Sequence, residues 1–174
     1  MADETTPLDA APLIRAAGPA DVAAVCAFGQ AHVRPHYTPL LGAEAADAQV
    51  RAWWNAEYVA AAVDAGNVLV ADVGGECVAV AQLGRAGDAH VVYKLYLAPD
   101  RRGSGLGPRL LDALEQRLPA DADALHVEHV AANTRAAAFY AREGFAVVRV
   151  ERDPSGDRGR DVVWRARPVR RRRP

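Results

Sequence analysis

Two cysteines, one methionine, one lysine and no long apolar run are what this 174-residue chain has least of. Cys26 and Cys77 stand apart, and neither sits in a CxxC pair. That argues against a disulfide framework and against a cysteine-held metal, and reads as small core residues in a reducing compartment. No apolar stretch reaches the roughly 18 residues of a membrane span. Charge of one sign is missing too. The net charge is -1, which gives no global case for nucleic acid as a partner. The opening MADETTPLDAAP lacks the basic and apolar regions of a signal peptide, so the expected location is the cytoplasm. Lys94 is the single lysine, every other basic side chain of the Lys and Arg class being arginine. As a sequence feature this reads as codon bias rather than mechanism.

What is present describes an ordinary folded domain. Hydrophobic residues make up 51% and charged residues 25%. The length suits one domain with a real core. Residues 1–11 read as a loose tail, and 167–174, RPVRRRRP, as a basic solvated one. Between them the pattern is β-α-α-β-β-β-α-β-α-β-β. A helix after Gly18-Pro19 is expected to stop near Pro35, which leaves HVRPHYTP as a loop. A second helix is expected from Glu44 to Val63. VLVADV and CVAVAQL form a hairpin across Gly74-Gly75. HVVYKLYLA is a further strand, and Leu110, Leu111, Leu114 and Leu118 follow helical spacing.

The stretch PDRRGSGLGPRL carries the chemistry. It spends three glycines in five positions between a strand and an amphipathic helix. Glycines let backbone N–H groups approach a ligand closely, and a helix start adds the positive end of its dipole. Together they make an anion site, most often for phosphate. The residues exclude a P-loop, since no Lys-Ser or Lys-Thr follows. The GxGxG spacing, late in the chain, also differs from the dinucleotide fingerprint. Arg102-Gly103-Ser104-Gly105-Leu106-Gly107 does satisfy R-x-x-G-x-G. Downstream, Asn133 is followed by Phe139-Tyr140 and Gly144-Phe145.

These two motifs and the element order, from about residue 12 to 166, resemble the Gcn5-related N-acetyltransferase (GNAT) family. The resemblance implies an α/β fold, a mixed twisted sheet of about seven strands with helices on both faces. It implies acetyl-CoA as acyl donor and a primary amine of a small molecule or peptide as acceptor, with no metal, and allows a homodimer. Arg102, Gly103, Ser104, Gly105, Leu106, Gly107 and Pro108 would then bind the pyrophosphate. Pro108 departs from the family's usual Lys, Arg, Ser or Thr and deletes one N–H. Leu95, Tyr96 and Leu97 would pair their backbone with the pantetheine arm while their side chains pack. Asn133 would bind near that arm and also cap its helix.

Tyr140 is the candidate for protonating the thiolate, against a role as plain core. Glu128 is the candidate base. A carboxylate in mid-strand is out of place unless it faces a cleft, and its position five residues before Asn133 resembles the ribosomal-protein alanine acetyltransferase branch. The other reading of Glu128 is a salt bridge or a solvated sheet face. His129 points the other way, and His90, Tyr93 and Tyr96 are rivals. His36, Tyr37 and Trp54 are candidates for the acceptor pocket. KLYLAPDRRGSGLG and the long second helix resemble the polyamine-acetylating branch. A different acyl-CoA, or a non-catalytic CoA-binding sensor, are the alternative functions.

Overall fold

The structure, a computed structural model, describes residues 11–170. The expected tail over 1–10 lies outside the described residues. Seven strands form one sheet in the order β1-β2-β3-β4-β5-β7-β6. They are β1 (Leu13–Ala16), β2 (Val68–Val73), β3 (Glu76–Ala86), β4 (Ala89–Leu97), β5 (Ala124–Val130), β6 (Ala146–Glu151) and β7 (Val162–Pro168). Every neighbouring pair is antiparallel except β4 and β5, which run parallel. That pairing covers only His90–Val92 against Leu125–Val127. Past it the two strands part, and Lys94 to Leu97 face Glu128 to Val130 across a gap in the ladder.

Six α-helices cover both faces: α1 (Val22–Phe28), α2 (Arg34–Leu41), α3 (Ala43–Trp53), α4 (Ala56–Asp64), α5 (Leu106–Glu115) and α6 (Thr134–Arg142). On α5, Leu106, Leu110, Leu111 and Leu114 are all fully buried against the sheet. Each such burial stabilises by about 2 kcal/mol. The opposite face holds Val25, Phe28, Val33, Val50 and Trp54 from α1 to α4. β2 is buried on both sides, with Leu69, Ala71 and Val73 in one core and Val68 and Val70 in the other. This is why its sequence is apolar without alternation.

Three expectations are corrected. HVRPHYTP is helical rather than a loop: a π-helical turn over Gly29–Val33 runs straight into α2. Pro35 is the second residue of α2 and directly follows the π-helical turn, so its missing N–H falls where the hydrogen-bond ladder changes register. The single helix expected from Glu44 to Val63 is two. Asn55 breaks it, its Nδ2 donating to the Arg51 carbonyl at 2.8 Å and its Oδ1 accepting from the Tyr58 N–H at 2.9 Å. At the C-terminal end β7 runs to Pro168, past the boundary expected at 166, and Arg167 is buried. Its guanidinium meets Glu115 at 2.7 Å, donates to the Glu143 carbonyl at 2.9 Å and stacks on Phe145. Charge pairing, invisible in a local run of arginines, draws this residue inside.

Candidate active site

Two cavities open where β4 and β5 part. The first, of about 390 Å³, lies between the end of β4, the glycine loop and α6. Gly103 and Gly105 have φ of 76° and 79°, a left-handed conformation that favours glycine. Gly105 caps α5 with no side chain. Among the described residues, the N–H groups of Gly103 through Gly107 have no protein acceptor, so one loop holds five unspent donors. Arg102, Arg135 and Arg142 line the same cavity, and none of them has a carboxylate partner among the described residues. Burial and the charge of Arg135 push the Arg102 guanidinium below its ordinary value. An anion would relieve that repulsion. Donors and cations in this arrangement fit a pyrophosphate.

Leu95, Tyr96, Leu97, Pro108, Asn133 and Tyr140 also border this cavity. Pro108 is the third residue of α5. Ser104 and Leu106 are not on the wall: the Ser104 hydroxyl donates to the Arg101 carbonyl at 2.7 Å, and the Leu106 side chain is core. Their part is limited to backbone N–H groups. Asn133 Oδ1 accepts from the Ala136 N–H at 3.1 Å, and its Nδ2 lies 3.1 Å from His36 Nε2. His36 therefore stands in the loop cavity and not with Tyr37 and Trp54, because α2 carries neighbouring residues to different sides. Burial, then Arg102 and Arg135, push His36 down from its ordinary value.

Tyr140 is buried among Phe139, Phe145 and His129. Its hydroxyl makes no hydrogen bond to the described residues. Burial, then Tyr37, push its pKa well up, so it stays protonated through the neutral range.

The second cavity, of about 490 Å³, is aromatic. Tyr37, Trp53, Trp54, Tyr58 and Tyr93 line it together with Lys94, Glu128 and His129. Tyr96 borders both cavities, and its hydroxyl meets that of Tyr37 at 2.8 Å. The alternation of β5 aims Glu128 away from Leu125, Val127 and His129. Glu128 accepts no hydrogen bond and forms no ion pair among the described residues. Burial first, then Glu151, push its carboxyl above the ordinary range, against a smaller downward pull from Arg149. His129 is committed elsewhere: Nε2 accepts from Arg165 at 3.1 Å, and Nδ1 lies 3.0 Å from the Val130 carbonyl. His90 contacts Arg85, and Tyr93 donates to the Arg85 carbonyl at 3.0 Å.

Sequence reasoning missed Arg135 and Arg142, although both lie inside the Asn133 to Phe145 stretch. It also set Lys94 aside. A lone lysine between Tyr93 and Leu95 in an apolar strand is the signal that could have found it.

Residues 64–147 match the Acetyltransferase (GNAT) domain model. Over that stretch, just under half of the chain, it is similar to GNAT acetyltransferase domains. Solved structures agree in fold. PaiA N-acetyltransferase from Thermoplasma acidophilum, in complex with coenzyme A, is 16% identical with a TM-score of 0.77, covering 91% of this chain and 99% of that one. A GCN5-related N-acetyltransferase from Rhodopseudomonas palustris is 24% identical with a TM-score of 0.73, over 92% and 97%. The ribosomal-protein-S18-alanine N-acetyltransferase from Escherichia coli is 21% identical with a TM-score of 0.61, over 91% and 94%. No curated protein matches the chain. No helix among the described residues is long and apolar enough to cross a membrane.

Proposed function

We propose that the chain transfers the acetyl group of acetyl-CoA to a primary amine that enters through the aromatic cavity. The observation that carries this reading is the junction at Tyr96. On one side lies a loop of unspent N–H donors and unpaired arginines, beside the unbonded hydroxyl of Tyr140. On the other lies the unpartnered carboxylate of Glu128. The N–H groups of 103–107, with Arg102 and Arg135, hold the pyrophosphate. The backbone of Leu95 to Leu97, freed from β5, holds the pantetheine arm and offers an N–H to the acyl oxygen. Acetyl-CoA supplies the activated acyl group.

Glu128 takes a proton from the incoming ammonium, leaving a lone pair on nitrogen. The N–C bond forms, the C–S bond breaks, Tyr140 gives its proton to the departing sulfur, and the second proton shed by the new amide nitrogen restores the phenol. Both pKa shifts suit these roles. A carboxyl raised toward neutrality is a better base, and a phenol held protonated is available as an acid. Tyr37 and Trp54 belong to the acceptor side, and His36 to the donor side. We place the enzyme in the cytoplasm, where the two free thiols Cys26 and Cys77 stay reduced.

The test is amine-dependent release of CoA thiol over a panel of primary amines. Glu128→Gln and Tyr140→Phe should each lower kcat while binding acetyl-CoA as the wild type does. No thiol release with any amine, despite tight acetyl-CoA binding, contradicts this reading.

A further inference from the structure

Lys94 is the only lysine in the chain, and its side chain is 4% exposed. A bulge in β4 decides where it points. Gln82 pairs with Lys94 and Leu83 with Val92, so Tyr93 is an extra residue. Val92, Leu95 and Leu97 all pack on the α5 side, and Tyr96 on the other. Unbroken alternation from Val92 would send Lys94 to the α5 side as well. The extra residue turns it into the aromatic cavity instead.

There Nζ donates to Gln82 Oε1. It also lies 5.1 Å from the Trp54 ring and 4.4 Å from that of Tyr58. Gln82 Nε2 donates to the Tyr58 hydroxyl at 3.1 Å, which fixes the amide with its oxygen toward Lys94. No carboxylate pairs with Lys94 among the described residues. The ammonium has three N–H groups and one acceptor.

A buried, unpaired cation is costly, and an apolar side chain would fill this space without that cost. Ring faces favour the charged form but supply no counter-charge. Burial lowers the pKa to about 7, against a small upward pull from Cys26 on α1. The other titratable groups around the cavity are Tyr37 on α2, Tyr58 on α4, Tyr93 and Tyr96 on β4, and Glu128 and His129 on β5. Glu128 shares the cavity but forms no ion pair with Lys94. The missing counter-charge is therefore left to the ligand.

We propose that Lys94 binds an anionic group of the acceptor, so that the acceptor is an amine carrying a carboxylate, with its apolar body against Trp53, Trp54 and Tyr58. The inference rests on the transfer reading and narrows it: Glu128 meets the ammonium end and Lys94 the carboxylate end. A polyamine would bring a second ammonium against a buried cation.

The test has a binding arm and a turnover arm. In the first, CoA-bound protein is titrated by calorimetry with N-acetyl-L-phenylalanine and with N-acetyl-2-phenylethylamine, its counterpart without the carboxylate. The titrations run near pH 8 in two buffers of different ionisation enthalpy. The carboxylate compound should bind about tenfold tighter or better. It should also take up protons, because an anion raises the pKa of a partly neutral lysine. Lys94→Met should abolish both the advantage and the proton uptake while CoA still binds. Equal affinity of the two compounds, or an advantage that survives Lys94→Met, overturns the proposal. Should the variant not fold, the wild-type comparison alone decides.

The second arm compares turnover of L-phenylalanine and 2-phenylethylamine. A higher kcat/KM for the amine overturns the anion site and leaves acetyl transfer standing. Carboxylate-selective, proton-linked binding with no turnover of either leaves the anion site standing and counts against transfer.

Discussion

Glu128 lies on β5 one residue past the last that pairs with β4. It has the cavity in front of it and no partner among the described residues. Its raised pKa fixes the sign of a pH effect. The base works deprotonated, so kcat should fall as pH falls through an apparent pKa above the ordinary carboxylate value. Glu128→Gln should lower kcat by about 100-fold or more, remove that acid limb, and leave acetyl-CoA affinity unchanged. A rate at saturating substrate close to wild type would assign the base elsewhere. Tyr140→Phe should lower kcat by a similar factor of about 100 without moving the acid limb, since the phenol stays protonated there. Glu128 stands out in the sequence as a carboxylate in mid-strand, whereas Tyr140 is singled out only by the resemblance, which places a tyrosine seven residues after Asn133. Lys94 was as anomalous. Its direction hung on a bulge, and a one-residue slip cannot be read from alternation in a strand apolar on both faces.

The loop and α5 were legible as an element, because glycine, dipole and leucine spacing all act locally. Pro108 stands third in α5, where an N–H would have no intrahelical acceptor. Pro108→Ser adds a donor to the anion site and should tighten CoA binding by up to about 1 kcal/mol. A marked loss of affinity in a titration would contradict that placement. Gly105→Ala meets no atom within 4 Å, but it forces a side chain into left-handed backbone at a cost of about 1–2 kcal/mol. It should weaken CoA binding through the loop's shape rather than through a clash. The α1–α2 segment was misread because proline is a strong local breaker, and the register change at the π-helical turn that accommodates Pro35 depends on tertiary packing. Gly29 reports that packing: a Cβ there would stand 2.6 Å from the Trp54 ring. Gly29→Ala should destabilise the protein by about 1–3 kcal/mol in urea denaturation, and it should loosen the aromatic cavity before the loop cavity.

At the scale of the whole molecule, the mixed sheet of about seven strands with helices on both faces follows from the family resemblance. The pairing of distant charges does not. Arg167 and Glu115 are 52 residues apart, and their side chains are 2% and 6% exposed. Glu115→Gln leaves a buried guanidinium short of its counter-charge, and should cost about 3 kcal/mol of unfolding free energy. Urea denaturation reads this, and a change within experimental error would mean that the Glu143 contacts suffice. The division into a cationic loop cavity and an aromatic cavity joined at Tyr96 is the central claim, and donor binding at the loop is its foundation. The most direct measurement is a calorimetric titration of the purified protein with acetyl-CoA, with ATP and NAD as controls, repeated on Arg135→Ala. Micromolar binding selective for acetyl-CoA, weakened about tenfold in the variant, is the predicted result. Absent binding, or affinity that Arg135→Ala leaves untouched, would contradict the account at its base.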